Sequence, residues 1–144
     1  MEWRCAVDSD LERLASWNRQ LQEDEGASVL SAGACESRLR AWLDGDYTGV
    51  VFEKAGPVGY ALHRPTDPDS QGAGGLYLRQ FFIDRGRRRQ GLGAEAFDLF
   101  VREILSGRRL VLEALTANPI GLAFWRSRGL SEYCTTFERA AQDG

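Results

Sequence analysis

The chain has 144 residues, 43% hydrophobic and 27% charged, with a formal net charge of -3. That is enough for one globular core, and 1–144 is expected to form one domain. The acidic balance argues against a general nucleic-acid binder, which carries a basic excess, and no apolar run is long enough to span a bilayer. The opening MEWRCAVDSD is too acidic for a secretory leader, so a cytoplasmic location is expected. Three well-separated cysteines, Cys5, Cys35 and Cys134, show no metal-ligand spacing and read as reduced thiols, and His63 reads as a surface or strand-end residue.

In chain order, a short strand is expected over 3–7. Ser9 and Glu12 form a capping box, and Leu11, Leu14, Trp17 and Leu21 recur at helical spacing behind it. This helix ends in Glu23, Asp24 and Glu25, carboxylates that oppose the macrodipole at a helix C-terminus. A second helix fits 35–43. A hairpin fits 47–54 and 58–64, and the Pro/Gly/Asp-rich stretch 65–75 reads as a mobile loop. A strand over 76–84 leads to a helix over 92–105. A strand over 109–115, apolar on both faces, is expected to be central. Pro119 at the first helical position and Gly129 past the end bound a helix over 118–129. The alternating 132–139 reads as a last strand. Helices alternate with strands only in the second half, where βαβ pairing is parallel, so a mixed α/β domain around one sheet is expected.

The segment RRRQGLGAE, 87–95, places arginines and two glycines at the start of the 92–105 helix. A helix N-terminus offers free N–H groups and partial positive charge, and glycine admits a phosphate to the backbone. A pyrophosphate site is the reading. GLGAEA, 91–96, formally satisfies the dinucleotide fingerprint, with Glu113 at the position of a ribose-binding acid. Against a Rossmann-like enzyme, DRGRRRQ separates the strand from Gly91, and the unit lies in the second half of the chain.

RRQGLG, 88–93, resembles the R/Q-x-x-G-x-G/A signature of the GCN5-related N-acetyltransferases (GNAT). NPIGLAFWRSRGL, 118–130, is similar to that family's N-x-x-A-x-x-x-Y-x-x-x-G-F segment, with Gly121, Trp125 and Leu130 as departures. The resemblance implies a mixed, mostly antiparallel sheet with splayed fourth and fifth strands and about four flanking helices. It implies acetyl-CoA as co-substrate: Arg88, Arg89, Gln90, Gly91, Leu92 and Gly93 at the pyrophosphate, Phe81, Phe82 and Ile83 along the pantetheine arm, and Asn118 and Trp125 beside it. One backbone N–H among Phe81 to Ile83 would stabilise the oxyanion. Glu113 stands where some relatives place a general base; its alternative is an ion pair with Arg109 or another arginine. Trp125 replaces the tyrosine that usually protonates the thiolate, and an indole donates hydrogen bonds without being a usable acid, so Tyr133 or water is left for that role. The family's acceptor region carries Glu23, Asp24 and Glu25 here, so the acceptor, a small-molecule or peptide amine, is expected to be cationic. No metal, nucleic acid or membrane is implied, and homodimers are common in the family. A non-catalytic CoA-binding domain is the further alternative, supported by the missing tyrosine.

Overall fold

A computed structural model describes residues 1–67, 69, 73–88 and 90–143. Five strands form one sheet in the order β1 (Glu2–Cys5), β2 (Thr48–Glu53), β3 (Pro57–Pro65), β4 (Leu76–Ile83) and β5 (Leu110–Leu112). Neighbours pair antiparallel except β4 and β5, which are parallel. The helices are α1 (Leu11–Asp24), α2 (Ala32–Asp44), α3 (Leu92–Leu99) and α4 (Pro119–Ser127). This mixed, mostly antiparallel α/β sheet excludes a Rossmann-like domain, whose sheet is mostly parallel.

The strand period of two builds a core on each side of the sheet. Val51, Tyr60, Leu62 and Phe82 meet Leu11, Leu14 and Trp17 of α1 and Leu39 of α2. Their neighbours Val50, Phe52, Ala61 and Leu78 meet Phe97 of α3 and Phe100 beyond it. Apolar residues on both faces mark β2 and β3 as the central strands.

Several expectations shift. Ser9 does not cap α1: a single 3-10 turn, Asp8–Asp10, precedes it, and Asp10 accepts the Val7 N–H at 2.7 Å and a forked pair of bonds from Arg4 at 2.8 Å each. Three residues to the N-terminal side of the expected start, α2 begins at Ala32, with the Ser31 hydroxyl taking the Ala34 N–H at 3.1 Å. Leu99 ends α3, and a π-helical turn carries on over Phe100–Leu105. His63 is 8% exposed, within β3 rather than at the surface. The expected loop over 65–75 lies partly outside the described residues.

Two corrections concern the C-terminal part. β5 has three half-buried residues and sits at the sheet edge, not its centre. The expected strand over 132–139 is absent: 130–143 has no regular structure, with Tyr133 79% and Phe137 89% exposed. Alternation alone does not make a strand; a partner must supply the ladder, and none of the described residues pairs with this segment.

Candidate active site

The ladder between β4 and β5 runs only from Leu76–Leu110 to Leu78–Leu112. Past that point β4 stays on β3 as far as Ile83, while the chain after Leu112 turns away toward α4. The strands therefore part, and a cleft of about 510 Å³ opens between them. It runs from Gly91, Leu92, Gly93 and Ala94 at the start of α3, past Phe81, Phe82 and Ile83, to Glu113 and Asn118.

The parting coincides with a bulge. Gln80 lies opposite Leu62 and Leu78 opposite His63, so Arg79 has no partner on β3. An extra residue puts two consecutive side chains on one face. Arg79 lies over the Trp42 ring of α2, and Gln80 accepts the Tyr60 hydroxyl at 2.8 Å on the same side of the sheet.

Beyond the bulge the alternation is regular. The Asp84 N–H bonds the Val58 carbonyl at 2.8 Å, and Tyr60 lies opposite Phe82. Alternate residues of an antiparallel strand turn their N–H groups to opposite edges. Hence Gln80 and Phe82 face β3, while the N–H groups of Phe81 and Ile83 face the cleft. The Ile83 carbonyl, which accepts Arg88 Nε at 3.1 Å, points the same way.

At the other end Gly91 stands just before α3 with φ of 72°, in the left-handed region that favours glycine. Among the described residues no side chain caps this helix, and nothing lies within 4 Å of where a Gly91 Cβ would be. The first N–H groups of α3 are thus open donors at the cleft wall. Gly93 lets α3 approach α4: a Cβ there would already touch the Phe124 ring at 3.4 Å.

The acetyltransferase (GNAT) family model matches residues 9–130. The chain belongs to this family. It is an acyl-CoA N-acyltransferase, and GNAT members use acetyl-CoA as acyl donor. Solved structures share the fold at low identity. A possible acetyltransferase from Clostridium difficile superposes with a TM-score of 0.77 at 18% identity, covering 99% of this chain and 98% of that one. A GCN5-related N-acetyltransferase from Ralstonia eutropha gives 0.66 at 22%, covering 98% and 99%. An aminoglycoside 6'-N-acetyltransferase from Acinetobacter haemolyticus gives 0.71 at 11%, covering all of both chains. No curated protein matches the sequence.

In this GNAT cleft the residues expected at the acyl donor come together. Arg88, Gly91, Leu92, Gly93, Phe81, Phe82, Ile83, Asn118 and Trp125 all line it. Gln90 is exposed and not on the cleft wall, and Arg89 lies outside the described residues. The Asn118 side chain accepts the Gly121 N–H at 3.1 Å, capping α4. A Cβ on Gly121 would stand 2.6 Å from the Asn118 amide nitrogen, which accounts for glycine where the family segment has alanine. Trp125 packs against Phe81, Phe97 and Phe124, with centroids 5.7, 5.4 and 4.9 Å away. Tyr133 is not on the cleft wall; its ring lies 4.8 Å from the Arg109 guanidinium.

The three carboxylates at the end of α1 divide. Glu23 pairs with Arg85 at 3.0 Å and does not line the cleft. Asp24 pairs with Arg85 at 2.9 Å and with Arg88 at 2.7 Å. Partial burial would raise its pKa, but the hydrogen bonds from Arg88 and Arg85 prevail and hold it below the usual carboxylate range. These pairs explain acids at a helix C-terminus: they answer the arginines of the loop before α3. Glu25 lines the cleft, and burial, with the charge of Asp24, pushes its pKa up against the opposing pull of Arg38.

Glu113 also lines the cleft and accepts the Tyr77 hydroxyl at 2.9 Å. It makes no ion pair with Arg109 among the described residues. Burial and the Glu113 carboxylate push the Tyr77 phenol up to about 12, so Tyr77 stays a neutral donor. Of the three acids expected on the acceptor side, Asp24 and Glu25 line the cleft. The sequence reading gave no acceptor role to Arg79, Gln80 or Tyr77.

Proposed function

We propose that this chain moves the acetyl group of acetyl-CoA to a primary amine by direct attack in a ternary complex. The observation that carries the reading is one continuous cleft. It joins open amides at the start of α3, an unpaired β4 edge and the carboxylates of Glu25 and Glu113.

The residues fit the donor. The uncapped α3 start, the left-handed Gly91 and the nearby Arg88 suit a pyrophosphate. Arg88 would exchange Asp24 for phosphate oxygens, and the Phe81 and Ile83 edge would hold the pantetheine amides. Bound acetyl-CoA supplies a thioester, whose carbonyl carbon is the electrophile and whose thiolate is the leaving group. An N–H on the open edge of β4 gives a fixed donor for charge growing on the carbonyl oxygen, worth on the order of 3 kcal/mol in a dry site.

The acceptor enters as a cation. A simple alkylammonium has a pKa near ~10 and must lose a proton before it attacks. Glu113 takes that proton, and Glu25 adds negative charge to the cleft. The N–C bond forms as the C–S bond breaks, and the newly bonded nitrogen gives up its second proton to water. The leaving thiolate needs no strong acid, since a thiol pKa is about 8.5; Trp125 packs in the place of the family tyrosine, and water returns the proton.

The test uses the intact protein. CoA is expected to raise its melting temperature and NAD(H) to leave it unchanged. Free thiol is expected from acetyl-CoA only when a primary amine is present. Stabilisation by NAD(H) and not by CoA, or thiol release independent of any amine, overturns the reading.

A further inference from the structure

Arg79 and Glu113 stand side by side and do not pair. Leu78 and Leu112 are the last partners of the parallel ladder, so the next residues along each strand are Arg79 and Glu113. Both point to the α2 side of the sheet: Glu113 reaches Tyr77, two residues before Arg79, and Arg79 lies over Trp42. Both line the cleft. Opposite charges so placed ordinarily form an ion pair, yet no bridge joins them.

Each is held by aromatic groups. The Arg79 guanidinium lies 4.4 Å from the centroid of Trp42 and 5.8 Å from that of Tyr47, and it donates to the Tyr47 hydroxyl at 3.2 Å. Tyr47 also receives Arg64 Nε at 3.2 Å, and Arg64 lies over the Tyr77 ring at 4.7 Å. Tyr77 in turn binds Glu113. Stacking and neutral hydroxyls fix these groups without cancelling their charges. Arg79 makes one hydrogen bond with one of its five donors and meets no carboxylate among the described residues; Arg64, behind it, meets none either. A planar fork with free donors on a cleft wall matches a carboxylate.

Resting on the acetyltransfer reading above, we propose that the acceptor is an amine with a carboxylate a few bonds away, an amino acid or a compound built like one, whose carboxylate Arg79 receives while its amine meets Glu113. Arg79 is then the specificity-determining residue of the acceptor site, and Trp42 and Tyr47 are its positioning residues. Arg79 and Glu113 each directly follow the last pair of the ladder on neighbouring strands, which favours a carboxylate near the amine over one at the far end of a long chain.

The experiment compares each of the common amino acids with its carboxamide and with its decarboxylated amine in amine-dependent thiol release. At least one amino acid is expected to exceed its carboxamide tenfold or more in kcat/KM. Arg79→Leu should erase that preference by raising KM for the acid at least tenfold while leaving the carboxamide within about threefold. Arg79→Lys should restore part of it. A second measurement needs no turnover: with CoA bound, N-acetyl amino acids should raise the melting temperature, N-acetyl amino acid amides should not, and Arg79→Leu should remove the difference. Equal use of acids and carboxamides, a preference that survives Arg79→Leu, or no acid-dependent effect in either assay overturns the proposal. Stabilisation by CoA alone, measured in wild type and in Arg79→Leu, separates these outcomes: its loss in wild type defeats the acetyltransfer reading, and its retention in Arg79→Leu shows that fold and donor site are intact.

Discussion

Glu113 owes its position to the end of a ladder. It follows the last paired residue of β5, where the strand leaves the sheet, and the Tyr77 hydroxyl fixes one of its oxygens. The base role proposed for Glu113 predicts a clear kinetic signature. Glu113→Gln keeps an oxygen for Tyr77 and loses the proton acceptor, so kcat/KM at pH 7 should fall about 100-fold. The loss should shrink as pH rises, because the free-amine fraction grows about tenfold per unit below the amine pKa of ~10. A pH–rate profile checks this: the variant should climb with unit slope where the wild type is flatter, and parallel profiles would remove Glu113 from proton transfer. This residue was legible in the sequence, as an acid on an otherwise apolar strand. Arg79 was not, because its meaning comes from what it fails to contact. Nothing in one sequence shows that Trp42 and Tyr47, from α2 and the turn after it, converge on it.

The α3 start was the most legible element, because glycines beside arginines at a helix N-terminus carry their own physical reason. Its chemistry separates into shape and charge. Gly91 adopts a φ of 72° with open space around it, so a side chain there meets strain but no clash. An ordinary side chain in this conformation costs about 1–2 kcal/mol, and Asn less, since it tolerates the left-handed region. Gly91→Asn should therefore retain most of the CoA-induced rise in melting temperature. Gly91→Asp, close to Asn in size and charged, should lose it through repulsion with the pyrophosphate. Equal loss in both variants would point to strain alone. The bulge in β4 was invisible because register belongs to a pair of strands: the run LYLRQFFI shows no break, and only Leu62 and His63 across the ladder reveal the extra residue. The same reason undid the expected last strand. Its alternation is real, yet β5 offers only three residues and the tail stays unpaired.

At the scale of the whole molecule, the one strand read as apolar on both faces, 109–115, lies at the sheet edge, and the place of the one histidine was not legible either. A polar residue near the end of an apolar run reads as a strand end, whereas β3 continues to Pro65 and carries His63 inward. There its ring meets Phe100 edge-on at 5.5 Å, and neither ring nitrogen has a hydrogen-bond partner among the described residues. Burial, with the nearby charge of Arg108, pushes its pKa down to about 4 from 6.5. The sign follows from linkage. Above pH 6.5 His63 is neutral in both states and exerts no effect. As pH falls from 6.5 toward 4, the unfolded chain binds a proton that the folded chain refuses, so stability drops. The shift corresponds to a loss of about 3 kcal/mol by pH 4. Carboxylates add their own acid sensitivity, so the informative quantity is a difference between proteins. His63→Leu removes the titrating group and the two unpartnered nitrogens together. Urea unfolding of wild type and variant at pH 7 and pH 4.5 should show the wild type losing about 2–3 kcal/mol more than the variant over that interval. Equal losses would mean that His63 gains a proton without unfolding, through a local opening of the contact between β3 and the π-helical turn.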